Sequence, residues 1–215
     1  MDDVSRETPL VPASARGVFS PERLPLAEAY ARSLATAGVE RGLIGPREVP
    51  RLWERHLLNC AVVTDAVAEG VSVADVGSGA GLPGIVMAIR RPDLRLTLIE
   101  PLLRRATYLD EVAAELGLEN VTVVRARAED ASAGDGFDVV TSRAVAALDK
   151  LARWCMPLVA VGGQMLAMKG ERASDEIVEA RKALRRWSSG DAEVVTVGAD
   201  VVSPQTTLVR VVRTK

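Results

Sequence analysis

Asp75-x-Gly77-x-Gly79-x-Gly81 is the stretch whose residue types and spacing could do chemistry. A short apolar segment runs into an acid, and glycines then alternate with other residues before a helical pattern begins. Glycine is costly to order, so this spacing marks a sharp turn or the close approach of a ligand. A strand, a glycine loop and a helix in that order place a ligand at the carboxyl end of a sheet, beside the helix N-terminus. Two phosphate-binding loops do not fit. A P-loop needs Gly-Lys-Ser/Thr after its glycines, and no lysine follows Gly81 or Gly84. A dinucleotide loop needs glycine at its sixth position, which here is Leu82.

Other candidates stand at the ends of apolar segments. Leu-Thr-Leu-Ile ends on Glu100, whose carboxylate could accept hydrogen bonds from vicinal ribose hydroxyls, or be a solvated strand-end acid. Arg127, Ala128, Glu129 and Asp130 follow a third such segment, Arg143 a fourth and Lys169 a fifth. The guanidinium and ammonium groups there suit anion contact. His56 is the only histidine, on an apolar-periodic helix, where core, capping and substrate-side roles are all open. Trp53, Trp154 and Trp187 could stack bases, but each falls in helical spacing and reads as packing.

The elements that must hold these residues follow from periodicity. Residues 1–17 are polar and aperiodic, and read as a flexible N-terminus. Residues 18–69 read as a helical extension. Ser20 is a candidate cap, Pro21 suits a first helical position, and Gly38 is a candidate stop. A second helical stretch runs from Pro46 to Ala68. From residue 70 the period changes. Strands are expected at Val71–Val76, Leu94–Ile99, Val121–Val124, Phe137–Thr141 and Gln164–Met168, alternating with helices at Leu82–Arg90, Leu102–Leu116 and Leu148–Met156. That alternation predicts an α/β fold with a mostly parallel sheet covered on both faces. After a helix near Ser174–Arg186, Ala192–Val197 and Thr206–Val212 are joined by so short a link that they must pair antiparallel.

Composition narrows the classes. The chain has 215 residues, 48% of them hydrophobic, and a net charge of −2. Such a balance argues against binding bare nucleic acid through bulk electrostatics and leaves room for a local basic patch. The longest uncharged run, residues 154–168, is too short and glycine-broken to span a bilayer. Cys60 and Cys155 lie in no metal-binding spacing, so neither a disulfide nor a metal is expected. The acidic N-terminus does not resemble a signal peptide, and the cytoplasm is the expected compartment.

The glycine pattern resembles the first motif of Rossmann-like class I S-adenosylmethionine-dependent methyltransferases. A closer resemblance spans residues 46–171. ERHLLNCAVV, DVGSGAGLPGI, RARAED, TSRAVA and AMKG, in that order and spacing, resemble the RsmG (GidB) family of bacterial small-subunit ribosomal RNA methyltransferases. The Leu82–Ile85 and Ser142–Ala144 segments are more specific than the glycines. The resemblance implies methyl transfer from S-adenosylmethionine to N7 of a guanine in 16S ribosomal RNA, in the loop near the decoding site. It implies cofactor contacts at Gly77, Leu82, Ala128, Glu129 and Arg143, joined by Gly79, Gly81 and Glu100 from the motif reading. His56, Arg127 and Lys169 become candidates for RNA contact, and Arg143 and Lys169 for positioning. The substrate would be 16S ribosomal RNA or the small ribosomal subunit. The chain departs from the family pattern at Asn59–Cys60 and at Pro204–Thr207. N7 already carries a lone pair and no proton, so no acid–base residue is expected. The generic motifs would equally fit a small-molecule methyltransferase, or a ribosome-binding factor that keeps the fold without turnover.

Overall fold

The computed structural model describes residues 10–131, 134–143 and 145–215. The N-terminal part is helical throughout, but not in one pitch. After α1 (Ala15–Val18) and α2 (Leu24–Ser33) comes a wide π-type turn over Leu34–Gly38. The run from Pro46 then passes through 3₁₀ turns (Pro46–Arg51), π turns (Leu52–Leu58), α3 (Asn59–Ala61) and 3₁₀ turns again (Val62–Ala66). Two expectations need correction. Ser20 does not cap α2 with its side chain: its Oγ donates to Glu22, and its carbonyl accepts from Arg23 and Leu24. Nor is the whole of 1–17 loosely held. Residues 1–9 lie outside the described residues, but Ala15 is fully buried, because α1 packs into the common core.

The sheet follows: β1 (Ser72–Val76), α4 (Gly84–Arg90), β2 (Arg95–Ile99), α5 (Leu103–Glu115), β3 (Val121–Val124), β4 (Phe137–Arg143), α6 (Leu148–Cys155), β5 (Val159–Lys169), α7 (Ala173–Leu184), β6 (Glu193–Val197) and β7 (Thr206–Val212). The strand order is β3-β2-β1-β4-β5-β7-β6. The first five are parallel, and β7 runs antiparallel to both β5 and β6. The C-terminal pair is thus antiparallel, as its short link requires. α4 starts later than expected, at Gly84, after a turn through Leu82 and Pro83.

Register fixes the functional edge. Val76 pairs with Ile99, Ile99 with Val124, and Arg143 with Met168, so the carboxyl ends of these strands lie side by side. One face of the sheet buries Leu96, Leu98 and Leu166 against Leu57, Leu58, Ile85 and Leu109; the other buries Val140 and Met165 against Leu148, Leu151 and Leu184. Each such side chain contributes about 1.5–3 kcal/mol. The N-terminal helices share the first of these cores, so the edge of the sheet and the segment that overhangs it form a single packed unit.

Candidate functional site

The glycine loop turns between β1 and α4 with Gly77, Gly79 and Gly81 all at positive φ. Their surroundings differ. A Cβ at Gly77 would crowd Val145 Cγ2 at 2.9 Å, and one at Gly81 would meet Ile85 Cγ1 at 2.6 Å and Tyr30 Oη at 2.8 Å. At Gly79 the nearest atom is Gly77 O, 3.8 Å away, so that backbone faces open space. The space is a cavity of about 580 Å³, lined by the loop with Leu82, Glu100, Leu102, Arg143 and Val145. Small-molecule sites span about 300–1,000 Å³.

Two carboxylates brace the loop. Asp75 is fully buried in β1; Oδ2 accepts from Gly84 N–H at 3.0 Å, and Oδ1 has no partner. Burial pushes its carboxyl up to about 7, against the lowering effect of that hydrogen bond. Glu100, 1% exposed, accepts from Gly79 N–H and Leu102 N–H, each at 3.0 Å. Each oxygen keeps further lone pairs for a ligand at the rim.

Beyond Arg143 lies a second, larger cavity of about 840 Å³. Arg51, Arg55 and Asn59 line it from the N-terminal helices, Arg143 and Lys169 from the strand ends, and Thr206 from the start of β7. Arg143 lines both cavities and is the wall between them. Its Nη1 donates to Cys60 Sγ at 3.1 Å and its Nη2 to His56 Nδ1; His56 Nε2 lies 2.8 Å from Glu48 Oε2. Burial first, and then the Arg143 charge, hold His56 below its ordinary range.

The family model for rRNA small subunit methyltransferase G matches residues 23–203. The chain belongs to this family. A protein of a Nocardioides species called ribosomal RNA small subunit methyltransferase G is 59% identical, over 98% of this chain and 84% of that one. One of the same name from Rhodococcus jostii is 58% identical, over 94% and 89%. Among solved structures, a putative S-adenosyl-L-methionine-dependent methyltransferase from Methanococcus maripaludis has a TM-score of 0.59 at 14% identity, over 86% of this chain and 94% of that one. The N-methyltransferase NodS from Bradyrhizobium japonicum, in complex with S-adenosyl-L-homocysteine, has a TM-score of 0.55 at 15% identity, over 83% and 98%. These likenesses show the class I methyltransferase fold.

The family's cofactor is S-adenosylmethionine, and the residues present fit it. The glycine backbone could form the floor, Glu100 could take the ribose hydroxyls, and Leu82, Leu102 and Val145 offer apolar walls. Gly77, Gly79, Leu82, Glu100 and Arg143, all sequence candidates for cofactor contact, line the smaller cavity together. Gly81 is held by packing instead. Ala128 and Glu129 form a 3₁₀ turn that follows β3, the outermost strand at this end of the sheet, and line neither cavity. Arg127 caps that turn, exposed and apart from both cavities. Lys169 lines the larger cavity, but its Nζ is held by Glu176 Oε2 at 2.7 Å and Ala146 O at 2.8 Å. His56 is 6% exposed, reaches the wall of the smaller cavity and is in contact with Arg143 through Nδ1. Trp53 is buried, and Trp187 stacks under Arg213.

Several site residues escaped the sequence reading. Tyr30 Oη donates to Ala80 O at 2.7 Å, tying α2 to the glycine loop. Asn59 Oδ1 accepts from Thr206 Oγ1 at 2.5 Å, tying α3 to β7. The two departures from the family pattern thus meet across the larger cavity. Among the described residues no cluster of acids, histidines and cysteines could hold a metal, and no helix is long and apolar enough to cross a membrane.

Proposed function

We propose that the chain transfers the methyl group of S-adenosylmethionine to N7 of a guanine in small-subunit 16S ribosomal RNA, in the loop near the decoding site. The observation that carries this reading is the pair of cavities at one sheet edge with Arg143 as their shared wall. The smaller would take the cofactor, on Gly77, Gly79, Leu82, Glu100 and Arg143. The larger would take the nucleotide, with Arg51, Arg55 and Lys169 toward phosphate. Ala128, Glu129 and Arg127 sit farther along the same edge and would be reached only by the outer parts of either ligand. Residues 18–69 would serve the methyltransferase domain, 70–215, by supplying one wall of each cavity. The substrate and the family point to the cytoplasm.

When bound, the cofactor supplies an electrophilic methyl on a positively charged sulfur. The protein has to align N7 with that methyl and exclude water, and such alignment alone supplies several kcal/mol, up to about 7–11. No proton leaves N7, so no base is needed. His56 fits that absence, because its Nδ1 already faces the Arg143 guanidinium. Mass-spectrometric mapping of N7-methylguanine on ribosomal RNA, after incubation with protein and cofactor, tests the proposal. Methyl transfer to a small molecule without RNA, or cofactor binding without turnover on naked RNA and on small subunits alike, would overturn it.

A further inference from the structure

Arg143 carries a long side chain with considerable rotamer freedom, yet it stands as the partition between two cavities. The chain behind it explains its placement. A guanidinium has donors only, so the His56 Nδ1 it approaches must present a lone pair. The ring proton then sits on Nε2, where it is donated to Glu48 Oε2 at 2.8 Å. A second proton on the ring would set N–H against N–H and bring two cations together. The other charged and titratable groups around the ring are Arg55 on its own turn, which also disfavours that proton, and the Cys60 thiol on α3. Glu100 and Arg105 face the same cavity.

We infer that Glu48 and His56 form a positioning pair for Arg143, with His56 neutral in its Nε2–H form and keyed between carboxylate and guanidinium. The inference rests on the proposed function for its consequence, though not for its geometry. Both ring nitrogens are occupied, so His56 acts through Arg143. Two guanidinium donors are spent on His56 and Cys60, and the rest are left for ligands on either side.

Because His56 is the only histidine, nitrogen NMR of the full-length protein reads its ring without ambiguity. The expected spectrum at pH 7 has a pyrrole-like Nε2 and a pyridine-like Nδ1, persisting as pH falls through about 6.5, where a free imidazole is half protonated. The kinetic arm is single-turnover methylation of small subunits at saturating cofactor. Glu48→Ala is expected to slow it about tenfold and His56→Phe about 10²-fold, the scale of a guanidinium displaced by about an ångström. Glu48→Gln keeps an acceptor for Nε2–H and recovers most of the loss. The wild-type rate is expected to be flat above pH 6.5 and to fall in acid as His56 takes its second proton. That acid limb moves to lower pH in Glu48→Ala, since Glu48 favours the protonated ring, and vanishes in His56→Phe. A merely structural pair would lower Tm and leave the limb's midpoint unmoved. A proton on Nδ1 at pH 7, or a limb unmoved in Glu48→Ala, overturns the inference. A wild-type protein with the expected spectrum that methylates no ribosomal RNA overturns the proposed function instead.

Discussion

Gly79 and Gly81 are the same residue put to opposite uses. Gly81 leaves room for Ile85 and Tyr30, whereas Gly79, at φ +58°, opens onto the cavity. Gly79→Val puts a β-branched residue where φ is +58°, at a strain the open space does not relieve, and the folded variant is expected to lower S-adenosylhomocysteine affinity at least tenfold by calorimetry. Wild-type affinity in a folded variant would remove the loop from the site. Asp75 makes a different prediction. Its carboxyl is pushed up from 3.8 to about 7 in the folded protein, which therefore binds the proton more tightly than the unfolded chain. Its contribution to stability is fully present below 3.8 and lost as pH rises through about 7. Asp75→Asn does not titrate, so its unfolding free energy relative to wild type should rise across that window and level off above it. Parallel denaturant curves at every pH would contradict the burial argument. At this scale the sequence was most readable where an apolar run ends in a polar residue. Asp75, Glu100 and Arg143 stand out that way. Tyr30 does not, because its partner Ala80 is distant along the chain, and Glu48 does not, because the 3₁₀ and π turns between it and His56 break regular helical spacing.

Strands and crossover helices were legible because period-two and buried apolar runs differ sharply from helical spacing. The changing pitch from Pro46 to Ala66 was not. Tight and wide turns in succession keep the apolar face in phase, so Leu52, His56, Cys60 and Val63 still read as one regular helix. Nor could spacing show that Ala128 and Glu129 follow the outermost strand, since strand order is a tertiary fact. Contact between elements is testable at Thr206, whose hydroxyl joins β7 to α3 through Asn59. Thr206→Val leaves an acceptor unpaired and is expected to cost about 1–2 kcal/mol in guanidinium titrations. The KM for RNA should rise several-fold with kcat little changed, since the tie spans the larger cavity and not the wall at Arg143. A fall in kcat alone would place Thr206 in the chemistry.

The whole molecule carries a net charge of −2, so attraction to RNA has to come from the cations gathered around one cavity. Arg51, Arg55, Arg143 and Lys169 are the groups available there. With each phosphate contact adding about 0.7–0.9, the slope of log affinity against log salt should stay near 3 or below. A slope near about ten would require a basic surface far wider than this cavity. The Tyr30–Ala80 hydrogen bond has its own consequence at this scale. Linkage is reciprocal: a ligand that steadies the glycine loop must also steady α2. Cofactor at about 100 times its dissociation constant adds about 2.7 kcal/mol to the folded state. Part of that gain should surface as slower amide exchange in α2, distant in sequence from the loop. When cofactor runs short, proteases should find the N-terminal helices first, making the supply of methyl donor a control on the enzyme's lifetime as well as its turnover.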